Sequence, residues 1–278
     1  MESARTVLKA LRKRYYRQTA AFRSLPDFII IGAMKSGTST LFSYLRQHPQ
    51  IIGSHKKEVH FFDRHYPDGK QWYRAHFPYS FSIRRGSITG EASPFYLLCP
   101  PIPERIHMLI PDVRLIALLR NPVDRAISHY FHSTRSGKES LPIMEALAAE
   151  EERTRDAWNR ALLGDCSFDR HMTWFSYQRR GLYLEQLQHY WQVFRKENIY
   201  IESTDKLLNS PEETLSNIFS FLGVKPDFRI PNTRKRNVGS NKSHVPSEVY
   251  EHLGNYFRHP NEELFSVIGR NFGWNSRT

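Results

Sequence analysis

The chain has 278 residues and a formal net charge of +12, from 40 basic and 28 acidic residues. That length allows one large domain with a substantial core, and two cysteines are too few for a disulfide-rich scaffold. No apolar run approaches the roughly 18 residues that a bilayer-spanning helix needs. The positive charge favours a polyanionic partner, such as a nucleotide, a sulfated glycan, a nucleic acid or an anionic membrane.

The N-terminal segment carries half of this charge. Before residue 27 there are seven basic residues and one acidic residue, which gives +6. Such a segment is typical of a solvated extension, or of an amphipathic helix that makes weak contact with a membrane surface. We interpret residues 1–25 as a basic extension, with the solvated form favoured. Residues 26–278 are interpreted as one domain, because no repeat or linker divides them.

The first element after the extension is a predicted phosphate-binding turn. The apolar residues 28–31 predict a strand that ends at Gly32, and residues 41–46 predict a helix. Between them lie a lysine, a glycine and four hydroxyl side chains: Lys35, Ser36, Gly37, Thr38, Ser39 and Thr40. A strand, a small-residue turn and a helix N-terminus favour an anion, through free N–H groups and the helix dipole. An ordinary turn is the alternative.

The order of residues in this turn differs from a Walker A loop. That loop has its lysine directly after a glycine and before Ser or Thr, whereas Lys35 precedes Gly37 by two positions. A P-loop kinase or NTPase therefore remains a weaker alternative.

Glu58 and His60 form the next group with chemical potential. They are two residues apart, so an extended segment would place both side chains on one side. A carboxylate or an imidazole there can remove a proton from a hydroxyl group. Phe61 and Phe62, which follow directly, are expected to pack inside the protein. The alternative is a solvated loop of alternating charges.

The rest of the chain alternates between strand and helix signals. Strands are predicted at residues 88–91, 113–119 and 199–202. Helices are predicted at residues 103–110, 124–131, 145–158, 182–196, 211–222 and 247–257. This alternation predicts a single α/β domain with a P-loop-like, doubly wound, mostly parallel central sheet flanked by helices.

Arg120 follows the predicted strand 113–119. Ligands of open parallel sheets bind at the carboxyl ends of strands, so Lys35 and Arg120 are expected to face one crevice. Arginine suits a terminal phosphate because it can form two parallel hydrogen bonds, and Ser128 adds a hydroxyl in the next helix. A local ion pair between Arg120 and Asp124 is the alternative.

Taken together, these motifs resemble the sulfotransferases that use 3′-phosphoadenosine 5′-phosphosulfate (PAPS). The similarity is strongest to the heparan sulfate 3-O-sulfotransferases and to the sulfotransferase domain of the N-deacetylase/N-sulfotransferases. It spans roughly residues 26–274 and includes the Lys-Ser-Gly-Thr turn and residues 57–63, 72–73, 103–107, 119–122, 256–261 and 268–274.

The resemblance implies transfer of a sulfuryl group from PAPS to an acceptor hydroxyl or amine, leaving adenosine 3′,5′-bisphosphate (PAP). Glu58 would be the base, with His60 and Asp63 beside it and Lys35 stabilising charge. The donor would be held by the residues of the turn and by a second set: Arg120, Ser128, Arg236 and Lys242. The resemblance implies no metal, and no cysteine or histidine cluster in the sequence has metal-ligand spacing.

The acceptor is expected to be a carbohydrate, with a small-molecule or lipid alcohol as the alternative. Sugars could stack on four aromatic residues: Trp72, Tyr73, Trp174 and Tyr177. The heparan sulfate branch has a lysine where this chain has Ala92, so the acceptor could differ. A non-enzymatic heparin- or nucleic-acid-binding module is a further alternative, although we expect no nucleic acid partner because the charge is concentrated before residue 27.

The two cysteines and the N-terminus bear on the compartment. Cys99 and Cys166 favour a reducing environment by default, with a single bridge between them left open. The sequence lacks the late cysteine pair of the 3-O-sulfotransferases and the apolar stretch of a secretory signal peptide. From these features we expect a cytoplasmic, microbial relative of that family.

Overall fold

A five-stranded parallel sheet lies at the centre of the protein, as seen in a computed structural model that describes residues 6–7, 11, 14–167, 169–233 and 245–276. Its strands are β1 (Phe28–Gly32), β2 (Ile51–Gly53), β3 (Ile88–Ala92), β4 (Arg114–Leu119) and β5 (Ile199–Ser203). The spatial order is β2-β3-β1-β4-β5, with every pair parallel. The chain thus winds outward from β1 in both directions, which confirms the predicted doubly wound sheet.

Helices cover both faces of this sheet. The α-helices are α1 (Thr38–Leu45), α2 (Gly69–Arg74), α3 (Ile102–Leu109), α4 (Pro122–Arg135), α5 (Ile143–Ala148), α6 (Glu150–Leu162), α7 (Arg170–Phe175), α8 (Tyr183–Trp191), α9 (Thr204–Asn209), α10 (Pro211–Leu222) and α11 (Ser247–Ile268). Side chains alternate between faces along a strand. Accordingly, Ile29 and Ile31 pack in one hydrophobic cluster and Phe28 and Ile30 in another. All five residues of β1 are buried, as expected for the central strand of a parallel sheet.

The structure differs from the predicted elements at several places. Strand β2 has only three residues and was missed, as were α2, α7 and α9. The predicted helix 145–158 is two helices, α5 and α6, which divide at Ala149. The last helix continues beyond residue 257 to Ile268 and contains Pro260, although proline usually ends or kinks a helix.

The two cysteines are joined. Cys99 and Cys166 form a disulfide with their Cα atoms 6.3 Å apart, and both are buried. The single bridge that the sequence left open is therefore present, and the default of reduced cysteines is wrong. A structural disulfide is typical of oxidising environments.

Part of the basic N-terminal segment contacts the domain. Residues 14–18 are helical, and the Tyr16 ring stacks on His55 at a centroid distance of 4.8 Å. Arg23 is buried and donates from Nη1 to the Phe77 carbonyl at 2.7 Å. Within the described ranges, no helix is both long and apolar enough to cross a membrane.

Candidate active site

The turn between β1 and α1 has the geometry of an anion cradle. Gly37 caps the N-terminus of α1 with a φ of 84°, in the left-handed region that favours glycine, and Lys35 has a φ of 70°. The first turn of a helix has N–H groups without intrahelical acceptors. The Ser36 hydroxyl is buried and makes no hydrogen bond of normal geometry to any residue that the structure describes. An anion at this turn would satisfy both kinds of donor, so these residues fit the phosphosulfate of PAPS.

The hydroxyl residues Thr38, Ser39 and Thr40 form the first turn of α1. Thr204, which follows β5, links the loop before them to the neighbouring strands. Its hydroxyl is 2.7 Å from the Ser36 carbonyl and 2.9 Å from the Leu119 carbonyl. The loop is therefore anchored at the carboxyl ends of β4 and β5.

Lys35 and Arg120 lie together at this edge of the sheet, as the sequence predicts. Arg120 Nη1 donates to the Lys35 carbonyl at 3.2 Å. The alternative partner, Asp124, is 3.9 Å from Arg120 Nη2, at the limit of an ion pair. Burial, followed by the positive charges of Arg135 and Arg120, lowers the pKa of Lys35. A bound anion would relieve this repulsion, which makes the crevice a site for negative charge.

The remaining predicted donor residues lie on α4 and in the basic loop. Ser128 is half-buried on α4, two turns after Arg120. Arg236 and Lys242 are outside the described residues. The chain leading to them is held against α1: Gln47 Nε2 donates to the Asn232 carbonyl at 2.9 Å, and the Tyr44 hydroxyl donates to the Thr233 carbonyl at 2.5 Å.

Glu58 and His60 meet, but not for the reason that the sequence suggested. The segment is not extended, because Glu58 and His60 both have left-handed backbones, with φ of 57° and 58°. Their side chains still converge, with His60 Nε2 at 3.6 Å from Glu58 Oε2. On its other side, His60 Nδ1 is 2.7 Å from Oδ2 of the buried Asp63. A carboxylate thus flanks each ring nitrogen.

These contacts shift the pKa values of Glu58 and His60. The hydrogen bond from His60, with the nearby Lys57 charge, lowers the pKa of Glu58 to about 2 in spite of burial. Burial opposes a charged His60, but its hydrogen bonds to Asp63 and Glu58 outweigh burial and raise its pKa. Glu58 also forms an ion pair with Lys57, and 44% of its side chain remains exposed. Glu58 is therefore an accessible carboxylate that stays ionised.

Phe61 and Phe62 are buried, as predicted, and begin a single π-helical turn that carries Asp63. A non-glycine residue in the left-handed region costs about 1–3 kcal/mol, and such residues persist only where the surroundings hold them. Two of them within three residues, Glu58 and His60, therefore indicate that this segment is firmly held.

Two further residues near the site, His132 and Arg135 on α4, were not predicted from the sequence. Burial is the main cause that lowers the pKa of His132. The charges of Lys35 and Glu58 are also close enough to act on this pKa. Arg135 is exposed at the helix end, and its charge also acts on Lys35. The spacing contained a signal, because residues 132 and 135 are four and seven positions after Ser128 and so share its helix face.

The four aromatic residues suggested for sugar stacking separate into two groups. Tyr73 and Tyr177 are fully buried and pack inside the protein. Trp72 is covered by the rings of His65, at 4.1 Å, and His76, at 4.3 Å. Trp174 is half-buried beside the His132 ring, at a centroid distance of 5.5 Å.

Ala92, at the position of the family lysine, is buried at the end of β3. Its carbonyl accepts a hydrogen bond of 3.0 Å from the Glu58 N–H. The cationic groups of the site instead come from other positions, namely Lys57, which pairs with Glu58, and Arg135 on α4, whose charge acts on Lys35. Among the described residues, no group of three or more His, Cys, Asp or Glu side chains has an arrangement that could hold a metal ion.

A parallel sheet with an anion-cradle turn after its central strand, and a carboxylate beside that turn, is typical of a nucleotide-dependent group transferase of P-loop-like fold. The sequence profile of the family described as "Sulfotransferase domain" matches residues 25–266. The chain belongs to this family and is a PAPS-dependent sulfotransferase. The kinase and binding-module alternatives are thereby set aside.

Individual relatives agree with this assignment. The chain is 33% identical over 276 residues to the human heparan sulfate glucosamine 3-O-sulfotransferase 6, covering 91% of this chain and 74% of that protein. It is 28% identical to the membrane-associated sulfotransferase kil1 of Dictyostelium discoideum, covering 90% of this chain and 66% of kil1. A crystal structure of a sulfotransferase from Alicyclobacillus acidocaldarius superposes with a TM-score of 0.73 at 31% identity, covering 91% of this chain and all of that one.

Proposed function

We propose that this enzyme transfers the sulfuryl group of PAPS in line to a hydroxyl of an anionic carbohydrate, with Glu58 as the base. The observation that carries the proposal is the position of the Glu58–His60–Asp63 group beside Lys35. The charge of Glu58 is close enough to act on the pKa of Lys35. PAPS supplies the activated sulfuryl group when bound.

Each residue has a separate task in this scheme. The turn from Lys35 to Thr40 and the side chains of Arg120 and Ser128 hold the phosphate groups of the donor. Lys35 and the N–H groups of α1 stabilise negative charge on the leaving phosphate oxygen, as preorganised donors do in phosphoryl transfer. Glu58 accepts the proton of the attacking hydroxyl. No metal enters the scheme.

The low pKa of Glu58 constrains the timing of proton transfer. A carboxylate with a pKa of about 2 has little driving force to take a proton from an alcohol early in the reaction. In a loose transition state the attacking oxygen forms little bond and becomes acidic late. Glu58 therefore orients the hydroxyl by accepting its hydrogen bond, and takes the proton as the new bond forms.

Two features support an anionic carbohydrate as acceptor. Cationic side chains lie on both sides of the site: Lys57 pairs with the Glu58 carboxylate, and the charge of Arg135 acts on Lys35. Trp174 adds an aromatic face beside His132, and aromatic rings combine an apolar surface with specific geometry. The relatives named for heparan sulfate glucosamine fit such an acceptor. A small-molecule or lipid alcohol would not need this cationic rim.

Calorimetric binding of PAP, AMP and ATP, with and without magnesium, tests the donor site. We expect magnesium-independent binding of PAP that is tighter than that of AMP. Replacement of Arg120 by Ala should weaken PAP binding about 10- to 100-fold, because a hydrogen bond to a charged group is worth about 1.5–3 kcal/mol. Arg84→Ala is the control, since Arg84 is an exposed arginine before β3, away from the carboxyl edge of the sheet.

Turnover with PAPS tests the acceptor. Heparan sulfate, desulfated heparan sulfate and a simple aliphatic alcohol should be compared at equal donor concentration. Preference for the aliphatic alcohol would contradict the anionic carbohydrate, and ATP binding that needs magnesium would contradict the donor site.

A further inference from the structure

The Glu91 carboxylate lies outside the steps described above, although it is near the base. It is on β3, fully buried, and accepts three hydrogen bonds. Its Oε1 accepts from the hydroxyls of Tyr73 at 2.8 Å and Tyr96 at 3.2 Å, and its Oε2 accepts from the Ser93 hydroxyl at 2.6 Å. A buried carboxylate without a cationic partner is costly, so three hydroxyl donors in one place require an explanation.

Two of these hydroxyls continue to the segment that contains the base. The Ser93 oxygen accepts a hydrogen bond of 3.2 Å from the His60 N–H. The Tyr96 oxygen accepts one of 2.7 Å from the Phe61 N–H. With the bond from the Glu58 N–H to the Ala92 carbonyl, three backbone N–H groups of residues 58–61 are held by residues that follow or end β3.

The direction of these bonds depends on the charge of Glu91. A hydroxyl has one hydrogen and two lone pairs. Because an ionised carboxylate can only accept, it draws the hydrogens of Ser93 and Tyr96 toward itself. The lone pairs of both oxygens must then face the N–H groups of His60 and Phe61. Burial raises the pKa of Glu91, and the hydrogen bonds from the three hydroxyls oppose this rise.

We propose that Glu91 is a positioning residue, which orients the Ser93 and Tyr96 hydroxyls so that they hold the backbone of Glu58 and His60 in its left-handed conformation. The inference rests on the proposed role of Glu58 as the base. It explains how the left-handed positions at Glu58 and His60 are maintained on a segment whose base must remain accessible. It also assigns Ser93 and Tyr96 to the same task.

Tyr73 provides a matched control within the same network. Its hydroxyl donates to the same Glu91 oxygen as Tyr96, but no hydrogen bond from Tyr73 leads to the base segment. Its ring stacks on Phe61 at 4.4 Å, and a phenylalanine would keep that contact. Tyr73→Phe and Tyr96→Phe thus each remove one hydroxyl from a buried carboxylate, and only the second removes a link to the base.

The experiment compares Ser93→Ala, Tyr96→Phe, Tyr73→Phe and Glu91→Gln in kcat with PAPS and heparan sulfate, PAP affinity and thermal stability. We expect Ser93→Ala and Tyr96→Phe to lower kcat about 10- to 100-fold with PAP affinity unchanged, since small misplacements of catalytic groups have effects of that order. Tyr73→Phe should lower thermal stability similarly but keep its kcat. Glu91→Gln should resemble the first two if it folds.

The His60 imidazole gives a readout that does not depend on turnover. With ¹⁵N-labelled histidine, the titration of His60 should shift in Ser93→Ala and Tyr96→Phe, because its distances to Glu58 and Asp63 change, and stay unchanged in Tyr73→Phe. If the wild type does not sulfate heparan sulfate but this pattern appears, the proposed acceptor fails and the positioning role stands. Equal loss of kcat in all three hydroxyl variants, or an unchanged His60 in all of them, would overturn the positioning role.

Discussion

The donor turn (residues 35–40) and the base segment (residues 58–61) both place left-handed residues at the carboxyl edge of the sheet, but different interactions hold them. In the donor turn, Gly37 supplies the unusual backbone at little steric cost, and the strand and helix on either side fix its ends. In the base segment, Glu58 and His60 adopt the same region without glycine, and the segment relies on hydrogen bonds that its N–H groups donate to residues 92–96. The first region binds by backbone geometry that is local in the sequence. The second depends on side chains that are some 30 residues away, and we expect the two regions to respond differently to substitution.

The largest effect should come from the base itself. Replacing Glu58 by Gln removes the proton acceptor but retains the shape of the side chain, so kcat should fall about 10²- to 10⁴-fold. PAP affinity, measured by calorimetry, should stay within about threefold, because the donor turn does not depend on this carboxylate. The control is Glu263→Gln, at an exposed position on α11. Equal loss of kcat and PAP affinity would remove Glu58 from the role of base.

A single methyl group added at Gly37 should distort the donor turn and weaken PAP binding. Gly37→Ala places a side chain at a φ of 84°, which costs about 1–2 kcal/mol, and relaxation of the turn should weaken PAP binding about 5- to 30-fold. Gly137→Ala is a matched control, because Gly137 has a φ of 63° and open space around its Cβ position. Both variants should lose similar thermal stability, and only the first should lose PAP affinity. Unchanged PAP affinity in Gly37→Ala would contradict the cradle.

A smaller effect is expected on the pH dependence of kcat/KM when His60 no longer holds the charge of Glu58. In the wild type, Glu58 is ionised above a pH of about 2, so kcat/KM should show no acid limb between pH 8 and pH 4 from this group. His60→Gln removes the main cause of the low pKa of Glu58, which should rise toward its usual value of about 4.3. Activity of this variant should then decline as pH falls below about 5.

The control for this profile is His65→Gln, since His65 pairs with the exposed Asp68 at 2.8 Å and not with Glu58. Its pH dependence should match that of the wild type. An acid limb of the same position in both variants would show that the limb does not report the Glu58 carboxylate.

The same difference between local geometry and contacts with distant residues explains which features could be predicted from the sequence. The strands next to the site are long apolar runs, and their order along the chain brings Lys35 and Arg120 to one edge, as expected from parallel βα units. Strand β2 escaped notice because three residues carry almost no periodic signal. The π-helical turn and the left-handed positions at Glu58 and His60 also could not be foreseen, because they depend on contacts with Ser93 and Tyr96 rather than on local propensity.

His132 and Arg135 illustrate the intermediate case. Their helix was predicted, but its end was placed at residue 131, four residues before its end at Arg135. Both side chains were therefore placed beyond the helix that carries Ser128, although their spacing puts them on its face. An error of one helical turn was enough to hide both residues.

The disulfide has a consequence for the covalent continuity of the site. The bond between Cys99 and Cys166 closes a loop with a sequence separation of 67, and this loop contains Arg120, Ser128 and His132. The exposed stretch 134–138 lies within it and includes Arg135 and Lys138, both of which trypsin recognises. A cut there would open the chain without separating its halves, because the cystine still joins them. The donor-binding strand and helix would remain tethered to the remainder of the nicked enzyme until the bridge is reduced.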